Sequence, residues 1–225
     1  YRLGLERPAA GYDLFLNHFF RLDRPGGQPE HVIEFPYHLQ QVGCFHEVFD
    51  ADWNCLRRGI LVDHHTMVTL SLHERQALEH LGPVSSPIHR DGREIVPTSE
   101  RLARRTMDPD LRLRLMNAKF FLMTPGRRRV HGTSLVEAIA AGCLAIGSPE
   151  WLGAHGFFFS PATTADTVDA ASMRIVKLEN NESMYRAELE RQRELVNWLC
   201  FTRPLLELMA ASRRVVSQRR AGSGP

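Results

Sequence analysis

The residues best suited to chemistry lie in one stretch, HGTSLVEAIAAGCLAIG at 131–147. Gly132 lets the backbone come close to a ligand. Thr133 and Ser134 offer hydroxyls and backbone N–H groups where a helix begins, and its N-terminus adds partial positive charge. Arg127, Arg128 and Arg129 stand just upstream and His131 precedes the turn, so a diphosphate would meet donors from several directions. Glu137 lies about one turn further in, where its carboxylate would suit a pair of ribose hydroxyls. The same residues also read as an ordinary helix start. Thr133 or Ser134 is then an N-cap, Glu137 part of a capping box, and the alanines pack on a sheet. The N–H groups that a cap satisfies are those a diphosphate would use, so both readings stand.

The elements around this stretch alternate. YDLFLNHFF (12–20) and HVIEFPYHL (31–39) are short aromatic strand candidates flanking a turn-rich loop, RLDRPGGQPE. GILV (59–62) gives a buried-strand signal that ends in Asp63, His64 and His65. Helical spacing covers Ser71–Leu81, with Gly82 as a C-cap. Loop-rich sequence follows, then helical segments at Ser99–Thr106 and from Asp108-Pro109, the latter with Leu111, Leu115 and Ala118 on one face. KFFLMTP (119–125) reads as a strand stopped by Pro-Gly, and GRRR as an exposed basic turn. A helix over Ser134–Ala141 leads to a strand, CLAIG, and FFFS (157–160) predicts a further strand before a helix from Thr163. A long amphipathic helix spans Glu182–Leu199. Pro204 is expected to interrupt it before another helix, and SRRVVSQRRAGSGP to trail off as a basic, disordered tail. Strands alternating with helices predict an α/β fold with a doubly wound, Rossmann-like parallel sheet.

Composition sets the outer bounds. The chain has 225 residues, 43% hydrophobic and 24% charged, a globular profile. A net charge of +2 is too balanced to argue for specific nucleic-acid binding. The basic residues are nearly all arginine, with lysine only at Lys119 and Lys177. Four cysteines fall at unrelated spacings without a CxxC pair. That argues against zinc and for reduced thiols, Cys143 and Cys200 being in apolar contexts, and hence for a cytoplasmic protein. No apolar run reaches the ~18 residues that cross a bilayer, and no signal peptide is visible.

Taken in order, KFFLMTP, a basic turn and HGTSLVEAIAAGCLAIGSP resemble the nucleotide-sugar-binding motif in the C-terminal domain of GT-B glycosyltransferases. In that family a strand leads to a glycine turn, a helix with a Glu-Ala pair, then glycine and an apolar strand. MDPDLRLRLMNAKFFLMTP is similar to the family's approach to the site, and Glu182–Leu199 to its C-terminal helices. YDLFLNHFF with HVIEFPYHL looks like the last strands of its N-terminal, acceptor-side domain. The resemblance implies three parts: residues 1–56 as the remnant of that domain, 57–200 as the nucleotide-sugar-binding domain, and 201–225 as a C-terminal helix and basic tail. It implies transfer of a sugar from a nucleoside diphosphate donor to a glycan, protein, lipid or small-molecule acceptor, with no metal and no separate cofactor. The donor site would comprise Arg127, Arg128, Arg129, His131, Gly132, Thr133, Ser134 and Glu137. Two departures stand out. Retaining members carry a second Glu eight positions before the helix Glu, where this chain has Arg129, and most of the acceptor domain is absent. An upstream segment or a partner subunit would have to supply that domain. Alternatively, the chain is a catalytically inactive glycosyltransferase-like domain serving as a scaffold or binding subunit.

Other chemistry is less well supported. Asp63-His64-His65 after an apolar strand resembles the hallmark of the DHH phosphoesterases, which bind two metal ions. Those enzymes need further aspartates on preceding strands, and Asp50 and Asp52 are too close in sequence to serve. His64 and His65 are therefore expected to line the interdomain cleft. A nucleophilic triad finds no support, since Ser134 lacks a G-x-S-x-G setting, and no catalytic residue is assigned. Arg213, Arg214, Arg219 and Arg220 in the tail offer contacts to RNA or anionic lipid, or simply a solvated end.

Overall fold

The computed structural model describes residues 15–17, 32–34, 55–86, 109–124, 133–151 and 153–222. Two short strands, β1 (Phe15–Asn17) and β2 (Val32–Glu34), pair in parallel within the first two aromatic runs. The main sheet has four parallel strands: β3 (Gly59–Val62), β4 (Val84–Ser85), β5 (Ala118–Met123) and β6 (Leu144–Gly147). Their spatial order is β4-β3-β5-β6. Helices α1 (His64–Met67) and α2 (Leu72–Glu79) follow β3, α3 (Pro109–Asn117) precedes β5, and α4 (Thr133–Ala140) joins β5 to β6. Then come α5 (Val168–Glu179), α6 (Glu182–Asn197), a π turn (Trp198–Thr202) and α7 (Arg203–Gly222).

The sheet is covered on both faces, which explains why its strands read as unbroken apolar runs rather than alternating ones. Leu61, Phe121, Met123 and Ala145 meet Leu115 of α3, Leu135, Val136 and Ile139 of α4, and Val196 of α6. Ile60, Val62, Phe120, Leu122, Leu144 and Ile146 point the other way, onto Leu78 of α2, Val168, Ala171, Ile175 and Leu178 of α5, and Tyr185 and Leu189 of α6. The expected Rossmann-like α/β sheet is present.

Helix α4 packs against β5, β6 and α6. Its alanines Ala138 and Ala140 are buried, as a sheet-packing helix requires. It ends in a Schellman motif: Cys143 N–H donates to Ala138 O at 2.8 Å and Gly142 N–H to Ile139 O at 2.9 Å. Gly142 has φ 89°, the left-handed conformation that this motif needs. Helix α2 starts later than a reading from Ser71 suggests, because Ser71 is its N-cap in a full capping box with Glu74. Gly82 follows it against β3, where a Cβ would stand 2.3 Å from Arg58 O.

Several expectations are corrected. FFFS is not a strand. Residues Gly153–Phe158 form a 3₁₀ helix, and Phe158 and Phe159 turn into the core. A glycine permits that turn, since a Cβ on Gly156 would lie 2.8 Å from Pro149 O. The strand-like pairing beside β6 comes instead from Thr163–Ala165: Gly147 N–H donates to Thr163 O at 3.0 Å and Ala165 N–H to Gly147 O at 2.9 Å. The next helix therefore begins at Val168, capped by Thr167, and not at Thr163. Ala118 opens β5 and does not extend the face of α3. Pro204 does not break the C-terminal helix, because the preceding turn widens. Arg203 N–H donates to Trp198 O, five residues back, which accommodates a proline that has no N–H of its own. The basic tail is helical as far as Gly222. The expected Ser99–Thr106 helix lies outside the described residues.

Candidate functional site

The chain runs from β3 to β4 on one side, then crosses to β5 on the other side of β3, and on to β6. Its direction of progress therefore reverses between β3 and β5. In open parallel sheets this switch point, at the carboxyl ends of the strands, opens the crevice where ligands bind. Here those ends are Val62 and Met123.

Each main strand hands over to a polar residue: Asp63 after β3, Ser86 after β4, Thr124 after β5 and Ser148 after β6. Asp63, Thr124 and Ser148 are buried. Asp63 N–H donates to Leu122 O at 2.8 Å, which extends the β3–β5 pairing one residue past the strand. Thr66 of α1 then ties the two ends together, its hydroxyl donating to Thr124 O at 3.2 Å and accepting from Thr124 N–H at 3.1 Å. The hydroxyls of Ser148 and Ser86 are enclosed without a hydrogen-bond partner. The signal for these residues in the sequence is the hydroxyl or carboxyl that ends an apolar run. Of the four, Asp63 is picked out in the sequence, as part of Asp63-His64-His65, and the three hydroxyls are passed over.

Helix α4 begins at the same edge, because a helix joining two parallel strands must run antiparallel to them. Its other end confirms the direction. Arg57, buried two residues before β3, donates through Nη1 to Ala141 O at 2.8 Å, Leu115 O at 3.0 Å and Ala118 O at 3.4 Å. One guanidinium thus collects carbonyls from the C-terminal ends of α4 and α3 and from the first residue of β5. Burial pulls the Arg57 guanidinium below the usual arginine range, while the negative ends of two helix dipoles suit a cation.

Of the predicted donor-binding residues, the structure places Thr133 as the first residue of α4, with Ser134 and Glu137 in its first two turns. Ser134 is half-buried, whereas Glu137 is only 1% exposed. Arg127, Arg128, Arg129, His131 and Gly132 lie outside the described residues. His64 and His65 open α1 directly after Asp63, so their backbone stands at the switch point. Among the described residues no group of three or more His, Cys, Asp or Glu is placed to hold a metal. No helix there is long and apolar enough to cross a membrane.

Two of the cysteines are unsuited to thiolate chemistry. Cys143 and Cys200 are free and buried, and burial pushes both thiols up to about 12. Cys143 instead donates from Sγ to Ala118 O at 3.4 Å and Leu115 O at 3.6 Å, sharing two carbonyls with Arg57. No protein-family model, curated protein or solved structure matches the chain.

Proposed function

We propose that the chain binds a nucleoside diphosphate sugar at the carboxyl end of its parallel sheet and that this site serves glycosyl transfer. The reading rests on the sequence resemblance to GT-B glycosyltransferases. One structural observation supports it above the others: α4, which carries Thr133, Ser134 and Glu137, starts at the edge where the β3–β5 switch point opens. The diphosphate would take the N–H groups of the first turn of α4 and the arginines of 127–129, and Glu137 would hold the ribose. Rate acceleration would come from charge stabilisation of the departing diphosphate by the same donors.

Calorimetric titration of the folded chain with UDP and GDP tests the binding step. One of the two is expected to bind, and Glu137→Gln to weaken it at least tenfold with thermal unfolding unchanged. Failure of both nucleotides to bind, or an affinity indifferent to Glu137→Gln, overturns the assignment. The second reading, an inactive binding or scaffold domain, is favoured by Arg129 in place of the expected acidic residue. Nucleotide binding without any transfer or donor hydrolysis would select it.

A further inference from the structure

The basic C-terminal segment is a helix with a buried face and an exposed one. Pro204 and Ala211 are buried, with Leu208 and Val215 half-buried along the same line. Turned away from them are Leu205, Leu206, Met209 and Val216, each between 49% and 59% exposed. At about 100° per residue, Leu205, Met209 and Val216 fall within roughly 40° of one another, a stripe of about 16 Å along the axis. On the same projection Arg213 and Arg220 flank the stripe on one side and Arg219 on the other. The last acidic residue is Glu207, held by Arg203 at 2.8 Å, and residues 208–225 carry neither Asp nor Glu.

We infer that the outward face of α7 is a docking surface for an anionic lipid bilayer. The helix lies in the interface with Leu205, Met209 and Val216 among the acyl chains and the arginines among the headgroups. An apolar stripe bordered by arginines matches that interface in both respects, apolar side chains inward and cationic groups at headgroup level. RNA would use the arginines but leave the stripe in water. A second copy docked on this face would bring like-charged arginines together. Among the described residues no helix is both long and apolar enough to cross a membrane, and the contact inferred here is a peripheral one.

Vesicle co-sedimentation of the full chain decides the matter. Binding is expected to phosphatidylcholine vesicles containing about 30% phosphatidylserine and not to phosphatidylcholine alone, and it should weaken as salt rises. Each arginine near an anionic surface contributes roughly fivefold. Arg213→Gln/Arg220→Gln should therefore lower partitioning about twenty-fivefold, and Leu205→Gln/Met209→Gln/Val216→Gln at least tenfold. The thermal midpoint of each variant checks folding, and the salt series on the unaltered chain gives an answer without any variant. The inference is overturned by equal binding to neutral and anionic vesicles, by no binding at low salt, or by binding indifferent to the apolar substitutions. It is equally overturned by a single-stranded RNA that outcompetes the vesicles, or by a dimer that Met209→Gln dissociates in a chain that ignores lipid. None of these outcomes depends on nucleotide binding.

Discussion

Gln192 offers the most demanding test of how this sheet ends. Among the described residues β6 is an edge strand, and its outer N–H and C=O groups need partners. Gln192, fully buried in the middle of α6, supplies them. Its Oε1 accepts from Ala145 N–H at 2.8 Å, and its Nε2 donates to Ala145 O at 2.9 Å and to Phe158 O at 3.2 Å. The side-chain amide thus stands in for one residue of a further strand. In Gln192→Leu the Phe158 carbonyl keeps Arg191 Nη2 at 2.6 Å, but Ala145 loses both partners. Two buried backbone groups left unpaired cost about 1–3 kcal/mol each, and the added apolar burial returns roughly 1 kcal/mol. The net loss is about 3 kcal/mol, or a fall in thermal midpoint of roughly 6–12 °C for a chain of this size. Urea unfolding followed by circular dichroism measures it. Gln192→Glu sharpens the test. Its second carboxylate oxygen would face the Ala145 and Phe158 carbonyls, raising its folded-state pKa above the usual ~4.3. Stability is then greatest while the carboxyl is protonated, and falls as pH rises from ~4 through the raised value. A Gln192→Leu chain within about 1 kcal/mol of the parent would refute the reasoning, since water would then be satisfying the strand edge.

Three further outcomes are expected. Gly142→Ala forces a side chain into the left-handed conformation at the end of α4 and should cost about 1–2 kcal/mol in urea unfolding. Ser71→Ala should cost about 1 kcal/mol by removing the cap of α2. The Ser71 hydrogen bonds hold the Glu74 carboxyl below its ordinary value, so Glu74 stabilises the fold above its unfolded pKa and this is lost as pH falls through the depressed one; in Ser71→Ala that acid-side loss should shrink. Cys143 and Cys200, with thiols pushed up to about 12 and buried, should resist alkylation at pH 8 until the chain is unfolded, as read by mass spectrometry.

What the sequence reveals of this fold follows from what each segment buries. GILV, AKFFLM and LAIG are legible as strands because both faces of the sheet are covered, so no polar residue interrupts them. Gly142 is legible as a helix stop because few other residues tolerate its backbone. FFFS misleads because three consecutive aromatics suit a strand by composition, while nearby glycines fold the first two, Phe157 and Phe158, into a 3₁₀ turn. Pro204 misleads because a helix breaker is tolerated where a π turn precedes it. The tail looks disordered by composition, yet Pro204, Leu208, Ala211 and Val215 repeat at helical spacing. Gln192 could not be read as an amide for the strand edge, since a glutamine in ERQRE reads as solvated. Its one sequence signal is position: Tyr185, Leu189, Gln192 and Val196 form a single buried stripe. For the site, order was legible and orientation was not. The succession of strand, turn, helix and strand put α4 after β5, but it is the parallel pairing of β5 with β3 and β6 that brings its first turn to the same edge as Asp63, Thr66 and Thr124.

The two ends of the sheet differ in charge for a reason rooted in topology. Strands that all run one way force the connecting helices to run the other way, so helix C-termini gather at the strands' beginnings and N-termini at their ends. At the beginning of the sheet the chain places cations: Arg57 on the carbonyls of two helix ends, and Lys119, one residue into β5, paired with Glu179 at 2.8 Å. Glu179 is itself the last residue of α5. At the opposite edge stand Asp63, beside α1, and the first turn of α4. An anionic ligand would be drawn to the first turn of α4. Within the proposed site the diphosphate would therefore sit over the first turn of α4, at Thr133 and Ser134.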